Sequence, residues 1–324
     1  MGATGTRAEP VPPTAPAPPG PVADRPRTRR PPWTRWRGFG VAWLFLAPAL
    51  LIFTVFKFIP MGRAFQMSFH EVRPYLGDIW VGMDNYTRIL TDEAFSSAIV
   101  RTVVLAVGQT GGSLVLGFAL ALLLEGTAKH LWFVRTAVFL PTIVAMAVVA
   151  EVWRILYYPG PDGTVNSVLG WVGLGPSQFL NNEDTSLWSV MSVGVWRGAP
   201  YDMMIFLAGL SGVDRSLYEA SSVDGASIRR RIWHVTLPAL RPVFAILFTL
   251  AAIRGLRVFT EIFLLTNGGP NGSTEVLMTL IYKVGLERHD LGVASAGSVL
   301  LLLATVVLTL AVRFARRGDS KAAS

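Results

Sequence analysis

Apolar positions in this chain run in blocks rather than in the half-and-half stripes of helices on a soluble surface. Three blocks, residues 38–56, 102–124 and 291–312, contain no charged side chain. Each is close to the ~20 residues that carry a helix across ~30 Å of hydrocarbon at 1.5 Å per residue. Three further blocks are as long but interrupted: 136–157 by Glu151 and Arg154, 187–210 by Arg197 and Asp202, and 243–266 by Arg254, Arg257 and Glu261. The pattern predicts an all-α integral membrane protein with six transmembrane helices, at about 39–58, 102–124, 136–157, 187–210, 243–266 and 291–312.

The alternation of clean and broken blocks is informative. An ionisable side chain at mid-membrane costs roughly 3 kcal/mol on insertion scales, so it faces a polar cavity or a partner helix. Spans three, four and five are therefore expected to line something wet, while one, two and six face lipid or apolar neighbours. The spacings of Glu151 with Arg154 and of Arg257 with Glu261 also suit ion pairs within one helix near the membrane surface. Both readings stand at the level of sequence.

Composition supports the membrane assignment, with 52% of residues hydrophobic and 15% charged against roughly 25% charged in soluble domains. Residues 1–32 hold ten of the 21 prolines and too few large apolar side chains to offset their ordering entropy. A disordered Pro/Arg-rich cytoplasmic tail is expected over residues 1–38, a six-span domain over 39–317 and a short cytoplasmic tail over 318–324. The first segment has no apolar core or small-residue cleavage site of a removable signal, so the first span is expected to serve as the anchor. Eighteen Lys and Arg fall in the two tails and the second and fourth connections, against six in the others. Basic residues gather on the cytoplasmic side, which places both termini there. The net charge of +8 is distributed over these segments rather than on one face, so no nucleic-acid partner is expected.

Several chemistries find no residues to carry them. There is no Cys, and the four His, at 70, 130, 234 and 289, are too far apart for a local zinc pair. None of the four Lys, at 57, 129, 283 and 321, follows a Gly, so the phosphate-cradling Gly-Lys loop of an ATPase is missing. Neither a Gly-x-Ser-x-Gly elbow nor a His-Glu-x-x-His helix occurs. The chain is not expected to be an enzyme or to hold a cofactor.

The segment from Asp214 to Pro242 is longer than a plain connection needs and carries its own helix punctuation. Ser216 and Glu219 have capping-box spacing, Gly225 sits where a helix would end, Ser227 is placed to cap a second helix, and Pro238 is placed to end it. Ile228, Ile232 and Val235 share one face of that second helix. The residues predict a short helix-turn-helix on the cytoplasmic surface, which an interfacial helix with positive-inside arginines would also satisfy.

Glu219, Ala220 and Ser221, then three residues, Gly225, nine residues, Val235, one residue, Leu237 and Pro238 resemble the permease signature of bacterial ATP-binding-cassette importers, Glu-Ala-Ala, x3, Gly, x9, Ile, x, Leu-Pro. Ser221 and Val235 depart from it by small or isosteric changes. Three other stretches resemble the carbohydrate-uptake permeases of the maltose and glycerol-3-phosphate type: residues 81–86 (Val-Gly-Met-Asp-Asn-Tyr), residues 135–141 (Arg-Thr-Ala-Val-Phe-Leu-Pro), and residues 265–270 (Leu-Thr-Asn-Gly-Gly-Pro). The last is similar to the first of the two permeases such systems usually have. The resemblance spans roughly residues 40 to 317.

It implies a type I importer permease fold in a bacterial plasma membrane, with residues 214–238 as the coupling helix that docks on the ATPase. Glu219, Ala220, Ser221, Asp224, Gly225, Leu237 and Pro238 would carry that contact. It also implies a second, non-identical permease, an ATPase dimer that binds ATP and Mg, an extracellular sugar-binding protein, and a sugar or polyol as solute. Trp196, Gly198 and Tyr201 in span four resemble the part of the maltose-type permease facing its sugar. Arg254, Gly255, Arg257 and Val258 in span five fall at or beside that family's substrate-lining positions. Several polar amides of the maltose system are missing, which puts maltose itself in doubt. The rival readings are an ion-coupled secondary transporter of a polar solute, which usually shows repeated halves, and a membrane-embedded enzyme built on Glu151, Asp202 and Glu261.

Overall fold

The computed structural model describes Gly2 and residues 32–322, with side-chain surroundings for residues 43–312 and Phe314. Most of the proline-rich segment expected to be unfolded, residues 3–31, lies outside the described residues. The chain divides into two units, one ending at Phe58 and one beginning at Ile59. In the first, α1 (Pro32–Phe53) begins within the expected tail and is followed by a wide helical turn, Thr54–Phe58. All of its side chains from residue 43 to 58 are exposed, and most of them are apolar.

The second unit opens with α2 (Ile59–Met67) and a two-stranded antiparallel pair, β1 (His70–Glu71) with β2 (Ile79–Trp80). The helices α3 (Asp84–Thr91), α4 (Glu93–Leu123), α5 (Lys129–Ile143), α6 (Met146–Leu156), α7 (Thr164–Trp171) and α8 (Glu183–Leu210) follow. Next come α9 (Arg215–Val223), α10 (Ile228–Arg231), α11 (Leu237–Ala239), α12 (Arg241–Leu256), α13 (Thr260–Leu265), α14 (Leu277–Tyr282) and α15 (Leu291–Ala322). The last helix runs on through most of residues 318–324, the segment expected to be a cytoplasmic tail. The small β pair is the one departure from an all-helical chain among the described residues.

Three helical stretches among the described residues are long and apolar enough to cross a membrane: Trp43–Met67, Glu93–Leu123 and Leu291–Val312. Two sharply bent pairs raise this to five if each is a single crossing. The 28 residues of α8 reach about 42 Å at 1.5 Å per residue, but Glu183, Asp184, Arg197 and Asp202 interrupt its apolar run.

Two expected spans are not continuous. The third, 136–157, is bent by 99° between α5 and α6. Pro141 lacks the N–H that would bond the Ala137 carbonyl, and three and four residues later Val144 and Ala145 are extended, with ψ of 139° and 135°. The fifth, 243–266, stops at Leu256, and Phe259 (φ −140°, ψ −58°) interrupts the helix before α13 starts at Thr260.

The long helices have clear local causes. Asp92 caps α4 by accepting from the Ala94 N–H at 2.7 Å, and Asn182 caps α8 through the Asp184 N–H at 2.7 Å. The other end of α4 is closed by Arg135, whose Nε donates to the Leu124 carbonyl at 2.9 Å and whose Nη2 reaches Gly126 O at 2.7 Å. A cation there also complements the helix dipole.

The buried positions of α4 fall on one stripe, from Ala98 and Thr102 through Leu105, Thr110, Ser113 and Gly117 to Ala121, and nearly all are small. They let α8 approach at backbone distance. A Cβ at Gly117 would lie 2.8 Å from the Ala199 carbonyl oxygen, and one at Gly255 of α12 would lie 2.7 Å from Ala106 Cα. Small residues hold membrane helices together by dispersion, since lipid offers no hydrophobic drive.

Apolar clusters fill the two ends of this frame. Met203, Phe206, Leu210, Leu240 and Leu247 pack at one end, and Val149, Val190, Val193, Ile262 and Val276 at the other. Asn85 and Tyr86 tie β1 to α3: Asn85 Nδ2 donates to Ser68 O and His70 O, both at 3.0 Å, and the Tyr86 hydroxyl lies 2.7 Å from Ser68 Oγ. The Val-Gly-Met-Asp-Asn-Tyr stretch thus has a structural task.

Candidate functional site

A cavity of about 460 Å³ opens between α4, α8 and the broken α12–α13 segment, within the size range of small-molecule sites. It is lined by Gly198, Tyr201, Arg254, Gly255, Arg257 and Val258, six of the seven residues expected to face a solute. The seventh, Trp196, is not on its wall. Its ring meets Trp153 edge-on at 5.4 Å and packs between α8 and α6.

The wall has further members that hydropathy did not reveal. Gln109, Thr110 and Ser113 come from α4, the charge-free second span expected to face lipid or apolar neighbours, and Thr142, Arg197, Thr260 and Glu261 add further polar groups. Neutral amides and hydroxyls leave a span free of charge, and charge is what distinguished the broken spans from the clean ones. Their i, i+1 and i+4 spacing on one helix was the available signal.

The charges in this cavity are organised across helices. Asp202 is fully buried, accepts from the Ser113 hydroxyl, and pairs with Arg254 Nη2 at 2.8 Å. The Arg254 guanidinium also lies 5.0 Å from the Tyr201 ring centroid, within cation–π range. Arg197 pairs with Glu261 at 3.6 Å. The expected Arg257–Glu261 pair does not form, because the break at Phe259 destroys the i, i+4 geometry it needs. The other pair does form: Arg154 Nη1 meets Glu151 Oε1 at 3.0 Å on exposed side chains, and Arg154 Nη2 also donates to Leu264 O at 2.5 Å. Among the described residues no group of three or more His, Cys, Asp and Glu could hold a metal.

The second candidate surface is the segment after α8. Asp214, rather than Ser216, caps α9, accepting from the Ser216 N–H at 2.9 Å. That bond holds the exposed Asp214 carboxyl below the usual aspartate range. Glu219 therefore sits one turn inside the helix, not at the capping-box position.

The C-terminus of α9 closes as a Schellman motif. Gly225 N–H bonds Ser222 O at 3.1 Å, Ala226 N–H bonds Ser221 O at 2.9 Å, and Gly225 has φ of +72°. Ser227 Oγ then accepts from the Arg230 N–H at 3.4 Å. Pro238 does not end the second helix. A wide turn at Ile232–Thr236 absorbs its missing N–H, the helical run continues to Ala239, and Leu240 marks a 69° bend into α12.

The two helices clasp each other through Tyr218 Oη to Thr236 Oγ1 at 3.1 Å and Arg231 Nη1 to Ser222 Oγ at 3.1 Å. Glu219, Ala220, Asp224, Gly225 and Pro238 are exposed, and Ser221 and Leu237 are half-buried. Leu217, Val223, Ile228 and Trp233 are exposed beside them, an apolar rim with no partner among the described residues.

The chain matches the family model described as binding-protein-dependent transport system inner membrane component over residues 113–318. It is 31% identical over 278 residues to the arabinooligosaccharides transport system permease protein AraP of Halalkalibacterium halodurans, covering 83% of this chain and 85% of that one. It is likewise 31% identical over 277 residues to the trehalose/maltose transport system permease protein MalF of Thermococcus litoralis, covering 85% and 93%. Among solved structures it superposes with TM-score 0.77 on a chain of a bacterial alginate transporter in complex with an alginate pentasaccharide-bound periplasmic protein. The identity there is 26%, and 90% of this chain and 98% of that chain are covered.

Proposed function

The chain belongs to the family of binding-protein-dependent transport system inner membrane components, the membrane permeases of ATP-binding-cassette importers, and on that premise we propose that it forms half of a solute pathway for an oligosaccharide. A permease of this family is not itself an enzyme, and ATP hydrolysis is in partner subunits. In this reading six spans cross the membrane, with the bent α5–α6 and the interrupted α12–α13 segments as the third and fifth and both termini cytoplasmic. A second, non-identical permease supplies the other half, and an extracellular sugar-binding protein delivers the solute.

The observation that carries the pathway role is the polar cavity between α4, α8 and α12–α13, built from charged side chains inside otherwise apolar helices. Residues so costly to bury line a route for something polar. The relatives named for arabino-oligosaccharides and for trehalose and maltose, with the alginate-bound structural neighbour, support a carbohydrate.

The helix-turn-helix at residues 214–238 is the contact to the ATPase dimer, which binds ATP and Mg. Its Schellman closure fixes the angle between its helices, and its exposed Leu217, Val223, Ile228 and Trp233 provide an apolar face to bury against a partner.

Reconstitution tests the assignment. The chain, a second permease, the ATPase and the binding protein, placed together in liposomes, should accumulate labelled oligosaccharide only with ATP inside. Uptake that persists without the ATPase, driven by a proton or sodium gradient, would overturn it.

A further inference from the structure

We infer that the solute received by this cavity carries an anionic group, a carboxylate or a phosphate, and that Arg257 is the residue that meets it; this rests on the cavity being the solute pathway. Three guanidinium groups, those of Arg197, Arg254 and Arg257, line the cavity, against one carboxylate on its wall, Glu261. A second carboxylate, Asp202, is fully buried and already paired with Arg254. Glu261 is taken by Arg197. Among the described residues no Asp or Glu lies within ion-pair distance of Arg257.

Arg257 occupies the C-cap of α12, at the break before Phe259, and is exposed. A guanidinium on a cavity wall whose carboxylates are paired elsewhere attracts an anion more strongly than a hydroxyl. It stays charged at any physiological pH and offers five donors in a planar fork that suits a carboxylate or phosphate edge.

The surrounding polar groups have the same bias. Thr110 Oγ1, Gln109 Nε2 and Arg197 Nε, all on residues of the wall, are buried without a hydrogen-bond partner. Each can donate, and two of the three only donate. A neutral sugar brings hydroxyls that need acceptors as much as donors, whereas the two carboxylates here are already committed. A solute with anionic oxygens supplies acceptors for these unpaired donors.

Uptake by the assembled transporter decides the matter, with digalacturonate, glucose 6-phosphate and maltotriose as probes. The wild type should accumulate one of the two anionic probes, digalacturonate indicating a carboxylate and glucose 6-phosphate a phosphate. Arg257→Gln should lower that uptake at least tenfold at unchanged complex yield, and Arg257→Lys should retain a third or more. Accumulation of maltotriose alone would overturn the inference and leave the oligosaccharide reading standing. Accumulation of no probe would likewise overturn the inference, since neither kind of anionic group would then be carried. Anionic uptake indifferent to Arg257→Gln would overturn the assignment of Arg257, as would equal loss of complex yield in both variants, which would make the residue structural.

Discussion

Asp202, fully buried on α8, holds Arg254 of α12 at 2.8 Å. With Ser113 as the second partner of the carboxylate, one acid links three helices beside the cavity. The pair is structural in its buried half and open to the cavity in the other, since 43% of the Arg254 side chain remains exposed.

Removing the acid alone should therefore destabilise the assembly. Breaking a buried pair costs about 3–5 kcal/mol when both partners are enclosed, and the exposure of Arg254 reduces this to about 1–3 kcal/mol. Asp202→Ala should lower the melting temperature of the purified transporter, and Asp202→Asn with Arg254→Gln should recover part of the loss. A melting temperature unchanged in Asp202→Ala would refute the linking role.

The backbone approach of α12 to α4 gives a steric prediction. A Val at Gly255 places Cβ 2.7 Å from Ala106 Cα, a distance that forces the helices apart. Gly255→Val should abolish recovery of monodisperse protein from membranes, whereas Ala106→Gly should be tolerated within about 1 kcal/mol. Normal recovery of Gly255→Val would show that the helices are not in this contact.

In the turn between α9 and α10, Gly225→Val puts a β-branched side chain at φ of +72°, where L residues other than Gly are strained. The Schellman closure opens and the two helices lose their angle. Uptake and solute-stimulated ATP hydrolysis should fall together by tenfold or more, with membrane insertion intact. Normal uptake by an inserted variant would exclude residues 214–238 from coupling.

Glu219 is exposed, so its replacement disturbs little inside this chain. Glu219→Lys should leave the permease pair intact and reduce the ATPase that co-purifies with it by several fold. Wild-type co-purification would place the ATPase contact elsewhere.

The cap of α9 gives a pH dependence with a definite sign. Asp214 has its carboxyl held below the ordinary range by the Ser216 N–H, so its contribution is complete above the unfolded value and is lost as pH falls through the lower folded one. Amide exchange at Ser216 and Leu217 should accelerate in Asp214→Ala at neutral pH. In the wild type, protection beyond the intrinsic acid dependence should weaken only under strongly acidic conditions. Equal exchange in variant and wild type would remove the cap.

What could be read from the residues followed the strength of the physical signal. The apolar blocks, the turn at Gly225, the Ser227 cap and the Glu151–Arg154 pair all rest on short-range rules and on side chains whose cost in lipid is large. The sharp bend after Ile143 was less visible, because Pro141 is compatible with either a kink or a helix end and only the extended Val144 and Ala145 decide it. Arg257 and Glu261 have ion-pair spacing that holds on an unbroken helix, and tertiary packing broke the helix between them. Trp196 and Tyr201 are five positions apart on α8, too far round the helix to share a face, so packing against Trp153 took the first while the cavity took the second.

The glycine and alanine contacts that bring α4, α8 and α12 together have a bearing on the transport cycle. Side chains can change rotamer to let packed helices slide, but contacts made by Cα, Cβ and carbonyl atoms have no such compliance. These three helices should travel as one rigid body when the cavity changes the side to which it opens. The bending then falls to the helix interruptions already present, at Val144–Ala145, at Leu240 and at Phe259, which act as hinges around an incompressible block.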